Sequence, residues 1–274
     1  MIKWLIKKQD EAAVASIRKQ FGFCDAVARV LYNRGLTDKA SIESFFDIDI
    51  ANLHDPLLLA DMEKATARIN KAVANGEKIT VYGDYDVDGI TSVVVLYRYL
   101  TSVGAKVDYY IPDRTEEGYG LNTAALRSIY ESGTSLIVTV DTGTTAVEEI
   151  AEAEGYGLDV IVTDHHECKP TLPECIAVVN PKRPDSVYPY KELAGVGVVF
   201  KLVCALIGDS SKAFSFYGDL VAIGTIADIM PLVDENRILV SLGLELLRKR
   251  PSCGIRALLE ASGGYKHGQI TLRR

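Results

Sequence analysis

The chain has 274 residues, 48% of them hydrophobic and 24% charged, with a formal net charge of −7 at pH 7. That length can bury a full core, and the balance excludes an intrinsically disordered chain. The net acidity excludes a protein that grips nucleic acid through overall basicity, although a local basic groove stays open. No apolar run approaches the roughly 20 residues of a membrane span, and residues 1–8 lack the apolar core of a signal peptide. No membrane and a cytoplasmic location are therefore the expectation. Cys24, Cys168, Cys175, Cys204 and Cys253 are odd in number and form no Cys-x-x-Cys pair, so they read as reduced structural thiols.

In chain order, apolar residues at three- and four-residue steps over 11–21 and 26–34 predict a small helical preface, residues 1–50. Asp61 should then cap a helix that buries Met62, Ala65, Ile69, Ala72 and Val73 before Gly76 stops it. Residues 78–82 form a β-rich run, followed by the 83–89 loop and a helix through Val93, Leu96, Tyr97 and Leu100. Residues 107–111, 136–140 and 160–163 are further strands, separated by helical stretches over 124–131 and 145–154. Strand and helix alternate, which predicts an α/β fold: a mainly parallel sheet flanked by helices. After 176–179 comes an irregular loop bearing Pro181, Pro184 and Pro189. Helices over 194–207, 217–229 and 237–248 add a helical C-terminal section. The sheet and these helices make a domain of residues 51–250. Residues 251–274 leave it as the start of a connecting helix, with 263–267 reading as a tail.

Acidic motifs fall at equivalent places in three of these units: Asp84-Tyr85-Asp86-Val87-Asp88 after the first strand, Asp141 after the second buried one, and Asp164 after the next. In an open parallel sheet, strand carboxyl ends face the ligand crevice, so these groups should converge. Carboxylates packed on so tight a loop repel one another and call for a cation; the competing reading of this motif alone is a solvated acidic turn. His165-His166 shifts the balance, being two of only four histidines and directly following Asp164. Adjacent side chains diverge, so one imidazole can ligate a metal while the other faces a phosphate, with Asp164 orienting an imidazole. Oxygen ligands with one or two imidazoles suit Mn²⁺ or Mg²⁺. Asp228 is a charge in an apolar helical stretch, either a further ligand or a cap or ion-pair partner. His54 and His267 read as ordinary structural residues. Thr142, Thr144 and Thr145 read as capping the helix after Asp141, and Gly195-Val196-Gly197 as a site of close helix packing.

Four segments, Gly83 to Gly89, Val140-Asp141-Thr142-Gly143, Asp164-His165-His166 and Gly224-Thr225-Ile226-Ala227-Asp228, resemble in order the motifs of the DHH phosphoesterase superfamily. Leu53-His54-Asp55-Pro56, Ile111-Pro112-Asp113-Arg114, Gly118-Tyr119-Gly120-Leu121-Asn122 and Leu193-Ala194-Gly195-Val196-Gly197 resemble its RecJ branch. The resemblance implies a manganese-dependent exonuclease, acting on single-stranded DNA from the 5′ end in repair and recombination. It implies Asp86, Asp88, Asp141, His165 and Asp228 as ligands of two ions, with Asp141 bridging and Asp84 serving the second. His166 would approach the scissile phosphate, and Arg114 and Tyr119 would lie along the strand. Read as residues alone, Arg114 is equally a surface ion-pair partner and Tyr119 a loop-packing residue. Single-stranded DNA is the implied partner, with a single-strand-binding protein and a helicase beside it. RecJ-like enzymes continue into a second, phosphate-binding domain, which would lie beyond Arg274. Two other functions stay open: a phosphodiesterase of oligonucleotides or cyclic dinucleotides, and a non-catalytic replication or repair scaffold.

Overall fold

The computed structural model describes residues 8–118, 120–263, 265–266 and 269–270. The chain divides into two compact units, Met1–Ile48 and Asp49–Arg274. In the first, three helices form: α1 (Glu11–Phe21), α2 (Asp25–Asn33) and α3 (Lys39–Phe46). Asp10 and Asp38 cap α1 and α3 by accepting backbone N–H groups, which otherwise lack partners at a helix start. Val14, Ile17, Ala28, Leu31 and Ile42 bury the unit's own small core.

The second unit is a parallel α/β sheet with added helices. The strands β1 (Lys78–Tyr82), β2 (Lys106–Tyr110), β3 (Leu136–Val140), β4 (Asp159–Thr163) and β5 (Ala177–Val179) lie in the order β2-β1-β3-β4-β5, every pair parallel. Alternation along each strand splits the core in two. Ile79, Val81, Leu136, Val138, Val140 and Ile161 face α4 (Met62–Asn75), α5 (Val87–Ser102) and α8 (Gly195–Ile207). Tyr82, Ile137, Val160 and Val162 face α6 (Thr123–Glu131) and α7 (Val147–Gly155). All five residues of β3 are buried, which is why it reads as an uninterrupted apolar run. β2 is an edge strand and reads more polar. Behind the sheet, α9 (Ser210–Ala227) packs on α5 and α8, and α10 (Asp234–Lys249) packs on α9. Then follow α11 (Cys253–Ala261) and a short antiparallel pair, β6 (Tyr265–Lys266) and β7 (Gln269–Ile270), where a tail was expected. His267 lies outside the described residues.

Three local expectations change. Asp61 does not cap α4 through its side chain; it takes φ +58° and accepts instead from Lys64, Val178 N–H and Arg183, tying the start of α4 to β5. The Thr142–Thr145 stretch is not a helix cap either. α7 begins at Val147 with no side-chain cap, because Ala146, which has no side-chain acceptor, stands at the cap position and the Thr144 hydroxyl accepts from Asn180 instead. α9 starts at Ser210, seven residues earlier than the periodicity suggests, because Asp209 caps it.

Candidate metal centre

β2 and β3 flank β1 on opposite sides, so the crevice outside the strand ends opens between β1 and β3. The segments that leave those ends supply the candidate site. Asp84 and Asp86 follow β1, and Asp86 also caps α5 by accepting Gly89 N–H at 2.8 Å. Asp88 is one residue into α5 and 1% exposed. Asp141 follows β3 directly, with φ +59°, a conformation that Asp tolerates better than most residues. Asp164, His165 and His166 follow β4.

Among the described residues three sets can each bring their ligand atoms within 4.8 Å of one another: Asp84, Asp86 and Asp141; Asp88, His165 and Asp228; and Asp141, His165 and His166. His165 Nε2 stands 3.1 Å from Asp141, 3.6 Å from Asp228 and 3.9 Å from Asp88. The Asp141 carboxylate therefore sits between the first two sets. Two like charges about 4 Å apart repel by about 4 kcal/mol even at the effective dielectric of a protein surface. Burial, then the charges of Asp88, Asp164 and Asp86, push the Asp141 carboxyl well above the usual carboxylate range. Burial raises Asp88 and Asp84 as well. The buried Oδ1 atoms of Asp84 and Asp141 have no hydrogen-bond partner, the Asp141–His165 approach lacking hydrogen-bond geometry. Unpartnered buried acceptors converging with an imidazole nitrogen are what a divalent cation satisfies, so the residues present fit one.

The two histidines have different surroundings. His165 is buried and aimed into the carboxylates, whereas His166 is half-exposed and donates its Nδ1–H to Asp164 Oδ1 at 2.7 Å. Asp164 also accepts the backbone N–H groups of Thr144, His165 and His166. Burial opposes its ionisation, yet the His166 hydrogen bond and charge, with those amides, bring its carboxyl down to about 2. The same hydrogen bond outweighs burial at His166 and lifts the imidazole to about 9, with the charges of Asp164, Asp141 and Asp228 adding to it. With Nδ1 taken by Asp164, His166 has Nε2 left to face a metal or a phosphate.

Asp228 stands differently from the sequence reading. It is not embedded in a helix but is the residue that ends α9, with its side chain 30% exposed. Ile229 N–H donates to Ile226 and Met230 N–H to Thr225, the paired bonds of a helix stop whose left-handed residue is normally glycine. Here it is Ile229, with φ +58° and 87% exposed. Arg114 is exposed, with its guanidinium carbon 5.4 Å from the centroid of the Tyr85 ring. Tyr119 lies outside the described residues.

Sequence reasoning missed the supports. Asp88 accepts N–H bonds from Gly195 and Val196, at 2.7 and 2.9 Å, so the N-terminus of α8 fixes its charge. A Cβ on Gly195 would fall 2.3 Å from Asp141 Oδ1, so the close packing there is against a candidate ligand. Asn180, fully buried at the end of β5, donates to Thr144 Oγ1 and to the His166 carbonyl. Its place after a fourth strand end was the available signal. We expect Gly195→Ala to lower Mn²⁺ affinity by about 10- to 100-fold, the range for supports of a metal site. The added methyl must displace the Asp141 carboxylate, and calorimetric titration would read it. An unchanged affinity would mean that Asp141 is not a ligand.

A family model, the DHH family, N-terminal domain, matches residues 78–225. The chain belongs to the DHH family. This DHH chain is 48% identical over 263 residues to the single-stranded-DNA-specific exonuclease RecJ of Bacillus subtilis (strain 168), an alignment covering 96% of this chain and 33% of that protein. It is 40% identical over 220 residues to RecJ of Escherichia coli (strain K12), covering 74% of this chain and 38% of that one. The crystal structure of RecJ from Thermus thermophilus in complex with Mn²⁺ matches with a TM-score of 0.74 at 33% identity, over 92% of this chain and 36% of that one. A structure of the same protein with Mg²⁺ matches with a TM-score of 0.62. The chain thus spans about a third of the length of these RecJ proteins.

Proposed function

We propose that the chain is the N-terminal catalytic part of a 5′-to-3′ single-stranded-DNA exonuclease that uses two Mn²⁺ or Mg²⁺ ions. The observation that carries this reading is the pair of sets, Asp84–Asp86–Asp141 and Asp88–His165–Asp228, joined where Asp141 comes within 3.1 Å of His165. When bound, the ions supply an activated water and neutralise negative charge on the entering and departing oxygens. Asp84, Asp86 and Asp141 would hold one, and Asp88, His165 and Asp228 the other, with Asp141 bridging. His166, held through Nδ1 by Asp164, would approach the scissile phosphate. Arg114 grips the strand's phosphates, and Tyr119 offers its ring to a base. Residues 251–274 open the connection to a second, substrate-binding domain.

The RecJ relatives support single-stranded DNA as substrate and Mn²⁺ or Mg²⁺ as cofactor. DNA repair and recombination, a cytoplasmic location, and a single-strand-binding protein and a helicase as partners complete the proposal. Among the described residues no helix is long and apolar enough to cross a membrane. The test is metal-dependent release of mononucleotides from 5′-phosphorylated single strands by the full-length protein, compared with dinucleotides, cyclic dinucleotides and pyrophosphate. The expected result is release from long single strands with Mn²⁺ and none with excess chelator. A preference for cyclic dinucleotides would replace the polymer substrate, and DNA binding without turnover would make the protein a scaffold.

A further inference from the structure

Asp84-Tyr85-Asp86 places an aromatic ring between two carboxylates of one candidate metal set, and the guanidinium of Arg114 lies over that ring at 5.4 Å. Arg114 comes from a different segment, the loop after β2, whose backbone is held independently. Glu117 accepts Asp113 N–H at 2.7 Å, Asn122 Nδ2 at 3.0 Å and the Tyr110 hydroxyl, while Asp113 accepts the N–H groups of Thr115 and Glu116. The root of Arg114 is therefore set by the residues on either side of it. Its head is exposed, and a long side chain in water samples many rotamers unless something at its tip selects one. The Tyr85 ring is such a contact, and the charge of Asp84 acts on the same guanidinium. A guanidinium lying over an aromatic face is attracted by the ring's quadrupole and keeps its N–H donors directed outward along its edge, where a phosphate can take two at once.

We propose that Tyr85 is a positioning residue: its ring seats Arg114 beside the metal loop, so that phosphate capture and the metal centre share one rigid segment. The proposal rests on the nuclease reading for its substrate.

Three variants of the full-length protein test it: Tyr85→Leu, Tyr85→Phe and Arg114→Ala, with the Tyr85→Leu/Arg114→Ala double. Tyr85→Leu should raise KM for a 5′-phosphorylated single strand about two- to fivefold, with a smaller change in kcat, the scale of an exposed cation–π contact. Tyr85→Phe should restore most of that loss, because the ring and not the hydroxyl does the seating. The double variant should be no worse than Arg114→Ala alone. Mn²⁺ affinity should be the same in Tyr85→Leu as in the parent. Multiplying effects in the double variant, equal damage from phenylalanine, or a weakened metal site would each overturn the proposal. The seating itself is read without turnover: the Arg114 Nε–H proton should show a ring-current shift that Tyr85→Leu removes and Tyr85→Phe keeps. A parent that releases no nucleotide would sink the nuclease reading. An unshifted Arg114 resonance would sink this one.

Discussion

Asp141→Asn should lose Mn²⁺-dependent hydrolysis by more than about 100-fold, beyond the range found when mere supports of a metal site are removed, while the metal-free protein becomes more stable. The two effects have one cause. Asp141 is 2% exposed, its Oδ1 has no hydrogen-bond partner, and burial with the neighbouring carboxylates works against its charge. Without a cation the folded state carries that cost; with one, the same charge becomes the attraction between the two sets. Asparagine keeps the shape against Gly195 and suits the left-handed backbone at φ +59°, so it isolates the charge where alanine would add strain. The gain in chelator should be on the order of 1–3 kcal/mol, the scale of relieving an uncompensated buried group. Thermal or denaturant unfolding with and without Mn²⁺ measures it, together with nucleotide release. A variant that binds Mn²⁺ like the parent, or unfolds more easily in chelator, would remove Asp141 from its bridging place.

The contrast between Asp141 and Asp228 shows what the sequence could carry. The strands and their acidic ends were legible because alternation and apolar runs are local signals, and strand-end convergence follows from parallel topology alone. Asp84, Asp86, Asp88, Asp141 and His165 accordingly meet where that rule puts them. Asp228 comes from the helical section, where periodicity runs on through Ile229 and hides the stop, because the residue in the left-handed position is isoleucine and not glycine. Asn180 and the N-terminus of α8 were missed for another reason. Their contribution lies in an amide side chain and in backbone N–H groups, which bring no acidic or histidine signal, and in contacts to residues tens of positions away. His54, read as an ordinary structural residue, has structural contacts: its carbonyl accepts from Lys201 and its N–H donates to Glu235.

That last contact leads to the largest expected stability effect. Lys201 and Glu235 are paired with both side chains fully buried. Lys201 Nζ also donates to the His54 carbonyl at 2.7 Å, and Glu235 accepts from His54 N–H and the Tyr188 hydroxyl. Removing one partner strands a charge with no route to water, so Lys201→Met should cost about 3–5 kcal/mol. Lys201→Met combined with Glu235→Gln should be less damaging than Lys201→Met alone, because no charge is left buried and the glutamine still accepts from His54. Denaturant unfolding of the two variants decides this, and a double variant worse than the single would show that shape, not charge, governs the pair. The consequence reaches the metal centre through the next residue. Asn236 donates to the Tyr190 hydroxyl at 3.0 Å and the Pro231 carbonyl at 3.2 Å, and Tyr190 donates to that same carbonyl at 3.0 Å. Pro231 lies three residues past Asp228, so loosening the start of α10 frees the stretch that aims this carboxylate. Lys201→Met should therefore also weaken Mn²⁺ binding, by about tenfold, in protein that is still folded, and the double variant should recover part of that affinity along with its stability.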